Sequence, residues 1–251
     1  MNAFTIVGEQ RRTAERAVLI HSLAMDRNFW RPVAERLDVP VLLYDCRGHG
    51  ESDKPAGPYT VEAFAADLAR LMDHVGWGSA LVAGASMGGC VALAFAAKYS
   101  KRLTALGLVD TTAWYGPDAP RQWEERAQKA LDGGLKALVD FQVSRWFSDG
   151  FRARHPEVVS QSVATFLKND VRAYAASCRM LGSADLRKVL PGIRVASAVV
   201  VGEEDYATPV SMAQELHRGI RRSTLTVLKG ARHLTPLEKP EAIAAELEKL
   251  L

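Results

Sequence analysis

The 251-residue chain has only three cysteines, Cys46, Cys90 and Cys178, and none lies in a CxxC pair. An odd, dispersed set is a poor disulfide framework, and it points to a reducing compartment. Long apolar runs are also missing. No stretch approaches the ~18 residues that would span a bilayer. The start, MNAFTIVGEQRRTAERAVLIH, is too polar for a secretory signal. These absences predict a cytoplasmic protein with no membrane partner. One-sided charge is absent as well. Thirty-two basic residues face 29 acidic ones, for a net charge of +3. The basic residues are scattered apart from pairs such as Arg11-Arg12 and Arg221-Arg222, so nucleic acid is not an expected partner. No metal-ligand spacing and no phosphate-binding loop occur, so no metal or other cofactor is expected.

What is present is the composition of an ordinary globular enzyme, 48% apolar and 24% charged. The length suits one large domain with an insertion. A homo-oligomer is left open. Short, nearly continuous apolar runs predict strands covered on both faces: AVLIH (17–21), VPVLLYD (39–45), SALVAGA (79–85), LTALGLVD (103–110), ASAVVVG (196–202) and STLTVLKG (223–230). Helical patterns lie between them. In TVEAFAADLARLMDHVG, apolar residues recur at three and four, with Thr60 placed to cap the start and Gly76 after the end. In KPEAIAAELEKLL, Pro240 opens a helix. Alternating strands and helices make an α/β fold with a mainly parallel sheet. The alternation stops from about Thr111 to Pro191, where two long amphipathic stretches replace the strands. The expected organisation is therefore a core formed by 1–111 and 192–251 and a helical cap inserted over 112–191.

The stretch LVAGASMGGC holds Ser86 in a G-x-S-x-G pattern, after a strand and before a helix. A serine hydroxyl is a weak nucleophile. It needs a base, a group to orient that base, and donors for the oxyanion formed on attack. Gly84 and Gly88 lack Cβ atoms, so a tight turn can pass close to its neighbours while Ser86 stands at a helix N-terminus. A glycine-rich turn without chemistry would read the same. The partners favour chemistry, in the order Ser, Asp, His that such sheets use. Asp205 follows VVVG, and His233 follows TVLKG, each beyond the carboxyl end of a strand. Rivals are Glu203 and Glu204 beside Asp205, Asp110 at another strand end, and His21 at the end of AVLIH. His21 is better suited to shaping its loop by hydrogen bonding. Of the six histidines, His49, His74, His155 and His217 read as loop or helix-surface residues.

These segments together resemble the α/β-hydrolases over nearly the whole chain. The motifs are HSLAMDRNFW, YDCRGHGESD, GASMGG, GEEDYATP and ARHLTPLEKPEAI. The resemblance implies Ser86 as nucleophile, His233 as base and Asp205 as its orienter. It implies the Met87 and Leu23 amides as oxyanion donors, with Ser22 where many members carry glycine. Within the family the chain is most similar to 3-oxoadipate enol-lactonases. YDCRGHG, Arg145-Trp146-Phe147 and RAYAASC match their segments, whereas His21, Ala24-Met25 and Cys46 depart from the usual Asn, Gly-Thr and Thr.

The expected function is a serine hydrolase of a small carboxylic ester or enol-lactone, acting through an acyl-enzyme without a cofactor. Two alternatives stand beside it, a carbon–carbon hydrolase of ring-cleavage products and a non-catalytic ligand-binding protein. Dehalogenation is disfavoured because the turn carries serine rather than aspartate. Trp114, Trp123, Phe141, Trp146, Phe147 and Phe166 are candidates for the substrate pocket, Trp146 foremost. Arg145 is the candidate partner for a substrate carboxylate.

Overall fold

The computed structural model describes residues 2–251; Met1, where the expected core begins, lies outside the described residues. A seven-stranded sheet forms the centre, in the order β1-β3-β2-β4-β5-β6-β7. Its strands are β1 (Phe4–Val7), β2 (Ala17–Ile20), β3 (Val41–Tyr44), β4 (Ala80–Ala85), β5 (Leu103–Val109), β6 (Ala196–Gly202) and β7 (Ser223–Leu228). Only β1 runs antiparallel, with Phe4 opposite Tyr44; β2 through β7 are parallel to their neighbours.

The apolar runs become strands because helices cover them. β2, β3 and β4 are buried at every position. The helix Met87–Lys98 packs on β2, β4 and β5, and the helix Pro240–Glu248 packs on β6. Met87–Lys98 is buried nearly all round, which suits its run of small and apolar residues. Thr60 caps the helix Val61–His74, its Oγ1 accepting from Ala63 N–H at 3.1 Å. One strand differs from expectation. STLTVLKG was expected to be covered on both faces, but β7 is the sheet edge, half-buried, with Thr224 and Val227 exposed.

The chain turns back between β2 and β4. It leaves β2 for β3 on one side, then crosses to β4 and continues through β5, β6 and β7 on the other. Such a reversal opens a crevice at the carboxyl ends of the two central strands. Between β5 and β6 run five α-helices, Ala119–Gly133, Val139–Trp146, Asp149–Arg154, Pro156–Leu167 and Val171–Ser183. The first amphipathic stretch is not continuous, because it breaks at Gly134, where φ is +68°. Hydrogen bonds tie this helical segment to the sheet's loops. Asn169 Nδ2 donates to Ala24 O at 2.8 Å, Leu234 N–H to Trp146 O at 3.0 Å, and an Arg232 guanidinium N–H to Phe147 O at 3.1 Å.

Candidate active site

Ser86 stands directly after β4 with φ +53° and ψ −116°, a left-handed conformation that is strained for a residue with a side chain. The surroundings hold it there. Its N–H donates to Val109 O at 3.0 Å, and Thr111 Oγ1 donates to its carbonyl at 2.7 Å. The turn closes because two glycines lack side chains. A Cβ on Gly84 would lie 2.0 Å from Gly88 O, and one on Gly88 would lie 2.1 Å from Ile20 O.

His233 bridges Ser86 and Asp205. Its Nε2 is 2.9 Å from Ser86 Oγ, and its Nδ1 is 2.8 Å from Asp205 Oδ2. The carboxylate can only accept, so Nδ1 carries the proton and Nε2 is left as the acceptor for the Ser86 hydroxyl. Asp205 is oriented in turn by Ala207 N–H at 2.7 Å, Thr208 N–H at 2.9 Å and Thr208 Oγ1 at 2.9 Å. All three residues are buried. Burial acts to lower the His233 pKa, but the Asp205 charge and hydrogen bond outweigh it and leave it above the ordinary histidine value. Burial acts to raise the Asp205 pKa, yet His233 and the Thr208 donors hold it below the ordinary carboxylate value.

The rivals have other partners. Asp110 accepts from Gly202 N–H at 3.1 Å, Thr235 N–H at 3.0 Å and Thr235 Oγ1 at 2.6 Å, pinning two loops together. Burial, and then the Asp205 charge, push its pKa well up. Glu203 is exposed, and Glu204 lies 3.5 Å from Arg232. His21 accepts from Cys46 N–H at Nε2, 2.9 Å away, so its Nδ1 donates to Ser22 O at 2.7 Å. His49 does not lie on the surface as expected. It is buried and meets the His21 ring with centroids 5.1 Å apart.

The Ser22–Leu23 peptide lies in the loop after β2 and borders the same cavity as Ser86. Ser22 O accepts from both His21 Nδ1–H and Met25 N–H, the latter at 3.1 Å. In a trans peptide the following N–H points the opposite way, so Leu23 N–H is turned away from those donors. Ala24, at φ +60°, completes the bend. Among the described residues, Leu23 N–H has no backbone acceptor, and Met87 N–H opens its helix with none.

Ser86, His233, Ser22 and Leu23 line one cavity of about 520 Å³ under the helical segment. Trp123, Phe141, Arg145 and Trp146 line it as expected. Trp114, Phe147 and Phe166 do not. Trp114 is covered by the Arg187 guanidinium 3.7 Å from its ring, and Phe147 and Phe166 are fully buried against Trp146. Trp114 lies in the connection after β5 and Phe147 just past the end of a helix, and Phe166 alone of the three sits within a helix, Pro156–Leu167, where it packs on Trp146 and Tyr174. Sequence reasoning missed Tyr115, Arg126 and Gln142, which also line the cavity. Arg126 could have been found one helical turn from Trp123, on the same face.

A mainly parallel sheet with a buried serine at a strained strand-to-helix turn is the architecture of the α/β hydrolases. The chain belongs to that family, matching the alpha/beta hydrolase fold over residues 18–240. It is 33% identical over 211 residues to 3-oxoadipate enol-lactonase 2 of Acinetobacter baylyi, covering 84% of this chain and 78% of that one. An enol-lactonase from Burkholderia xenovorans LB400 superposes with a TM-score of 0.95 at 34% identity, covering 99% of this chain and 95% of that one. A thermophilic esterase from Thermogutta terrifontis gives a TM-score of 0.92 at 31% identity, with coverages of 99% and 92%. The resemblance read from the motifs is borne out, and the chain is an enzyme of a hydrolase family. Among the described residues, no helix is long and apolar enough to cross a membrane.

Proposed function

We propose that the protein is a serine hydrolase that cleaves a small carboxylic ester or enol-lactone through an acyl-enzyme. The observation that carries this reading is the continuous hydrogen-bond chain from Asp205 through His233 to Ser86 at the cavity floor. In the proposed reaction His233 Nε2 takes the Ser86 proton as Oγ attacks the carbonyl carbon. Asp205 keeps the imidazole in the required tautomer and stabilises its charged form. The Leu23 and Met87 amides receive the oxyanion, each worth roughly 3–4 kcal/mol in the transition state. The proton then passes to the leaving oxygen, and water attacks the acyl-enzyme by the same path in reverse. Residues 112–191 act as a cap over a core formed by 1–111 and 192–251. Ser22 and Trp146 shape the pocket, and Arg145 faces a substrate carboxylate. The enol-lactonases similar to this chain make 3-oxoadipate enol-lactone, in aromatic catabolism, the first substrate to test.

The test is hydrolysis of p-nitrophenyl acetate and of a lactone panel by the wild type and by Ser86→Ala. Turnover in the wild type that falls by at least ~10³-fold in the variant is the expected result. Equal rates in the two proteins would sink the reading. Cleavage of vinylogous diketones in preference to lactones would move the substrate class to carbon–carbon bonds.

A further inference from the structure

Gln142 is polar, buried and without a partner. It is 3% exposed, and among the described residues its side-chain amide forms no hydrogen bond. It lines the cavity, and neither amide atom is sealed among buried atoms, so the little exposure it keeps is to that space. The charged side chains of the same cavity, Glu125, Arg126, Lys129 and Arg145, are half-buried or exposed. Gln142 therefore belongs with Ser86 and His233 to the enclosed part of the lining.

Its position makes the amide unexpected. Leu138, just ahead of the helix Val139–Trp146, then Gln142 and Trp146 follow at four-residue spacing, all buried and all lining the cavity. The central place of such a stripe suits leucine or methionine. A glutamine there gives up water without gaining a protein partner, which costs stability. A buried polar group that the fold leaves unsatisfied is accounted for when a ligand supplies its bonds. The same helix is fastened beside His233. Leu234 N–H donates to Trp146 O at 3.0 Å, and an Arg232 guanidinium N–H donates to Ser144 O at 2.9 Å. Residues four apart on a helix lie about 5–6 Å from each other, so Gln142 is one turn from a residue bonded to the His233 loop.

We propose that Gln142 is a specificity-determining residue that holds an uncharged hydrogen-bonding group of the substrate, a carboxamide above all. This rests on the hydrolase reading and names a substrate class within it. A glutamine side chain donates at Nε2 and accepts at Oε1, whereas the cavity's arginines and lysine only donate. A carboxamide answers both atoms, with its carbonyl and its N–H. A ketone answers the donor alone, and a hydrocarbon group leaves both unmet. Sites built on such pairs reject analogues that lack the partner, because the buried group then stays unpaired. The anchoring of the helix beside His233 places the held group a few bonds from the carbonyl that Ser86 attacks.

The test uses three p-nitrophenyl esters of one shape. The glutaramate monoester ends in a carboxamide, the 5-oxohexanoate in a ketone and the 5-methylhexanoate in a hydrocarbon. The wild type is expected to favour the first over the last by about tenfold or more in kcat/KM, with the ketone between. In Gln142→Met the three should come within about twofold of one another, chiefly through a higher KM for the glutaramate ester. The variant should melt no lower than the wild type, because it removes an amide that the fold leaves unpaired. A glutamine needed only for the fold would give the opposite result. Pentanamide binding to Ser86→Ala, followed by NMR titration, needs no hydrolysis. It should weaken by about tenfold or more when Gln142→Met is added. Equal rates on the three esters in the wild type, unchanged ratios or a lower melting temperature in Gln142→Met, or unchanged pentanamide binding would each overturn the proposal. If binding and melting behave as expected while Ser86→Ala hydrolyses at the wild-type rate, the Gln142 contact stands and the serine reading falls.

Discussion

His233 Nδ1 lies 2.8 Å from Asp205 Oδ2, while Asp110, at the end of the adjacent strand, gives its oxygens to Gly202 and Thr235. The two buried carboxylates therefore divide orientation of His233 from bracing of its surroundings. Asp205→Asn is expected to lower kcat by about 10⁴-fold, because the asparagine amide favours the wrong tautomer of the histidine. Its melting temperature should change little. Asp110→Asn should do the reverse, leaving donors of Thr235 or Gly202 unmet at a cost of about 1–3 kcal/mol. Ester turnover and thermal melts of both variants make the comparison, and a larger rate loss in Asp110→Asn would exchange their roles.

The pH profile follows from the same contact. In the proposed reaction only neutral His233 accepts the Ser86 proton, so kcat/KM is expected to rise as pH rises through its pKa. Asp205 holds that pKa above the ordinary value, so the protonated, inactive form persists to higher pH. The limb is expected above the usual histidine range of about 6.5. Removing the carboxylate in Asp205→Asn lets burial dominate, and the limb should move to lower pH on a much reduced plateau. A profile of kcat/KM for p-nitrophenyl acetate reads both, and a limb that stays fixed in Asp205→Asn would remove His233 as the titrating base.

His21 holds the Ser22–Leu23 loop through one N–H to Ser22 O. An asparagine side chain also offers an N–H there. His21→Asn is expected to keep activity within about tenfold and to leave the acid limb in place, whereas His233→Asn loses at least ~10³-fold. Should the losses come out in the opposite order, the base would be His21.

His49 is buried against His21, and burial, then the neighbouring imidazole, lower its pKa to about 3. The unfolded chain binds a proton near pH 6.5, and the folded chain does not until about pH 3. The folded pKa is depressed, so this histidine costs no stability above about 6.5 and progressively more as pH falls towards 3. Denaturant melts should show stability declining across that window. The decline should be shallower in His49→Gln, and an unchanged slope would place the acid sensitivity elsewhere.

The elbow predicts its own intolerance. Gly84→Ala puts a Cβ 2.0 Å from a backbone oxygen and should cost about 3 kcal/mol or more. Gly192, with nothing within 4 Å and no positive φ, is the control. Gly192→Ala should be neutral or stabilising by up to about 1 kcal/mol. Equal melting temperatures for the two variants would contradict the close packing of the turn.

Local chemistry made much of this protein legible in its sequence. Apolar runs bounded by turns marked the strands, Thr60 marked a helix start, and G-x-S-x-G after a strand marked the Ser86 turn. Asp205 and His233 were readable because a residue just past a parallel strand must emerge at the sheet's carboxyl edge. The failures share one cause. STLTVLKG has the composition of a covered strand, but coverage depends on its place in the strand order, and β7 is an edge. His49 sits in a polar loop sequence, but the fold of that loop against His21 buries it. Trp114, Phe147 and Phe166 share the aromatic character of Trp146, but Trp114 lies under Arg187 and the two phenylalanines pack against Trp146 instead of lining the cavity. The sequence by itself determined the strands, the strained serine turn and the order of its partners, since each depends on neighbours a few residues away. The lining of the cavity and the exclusion of Asp110 were decided by tertiary structure alone, because they depend on which distant surfaces close against one another.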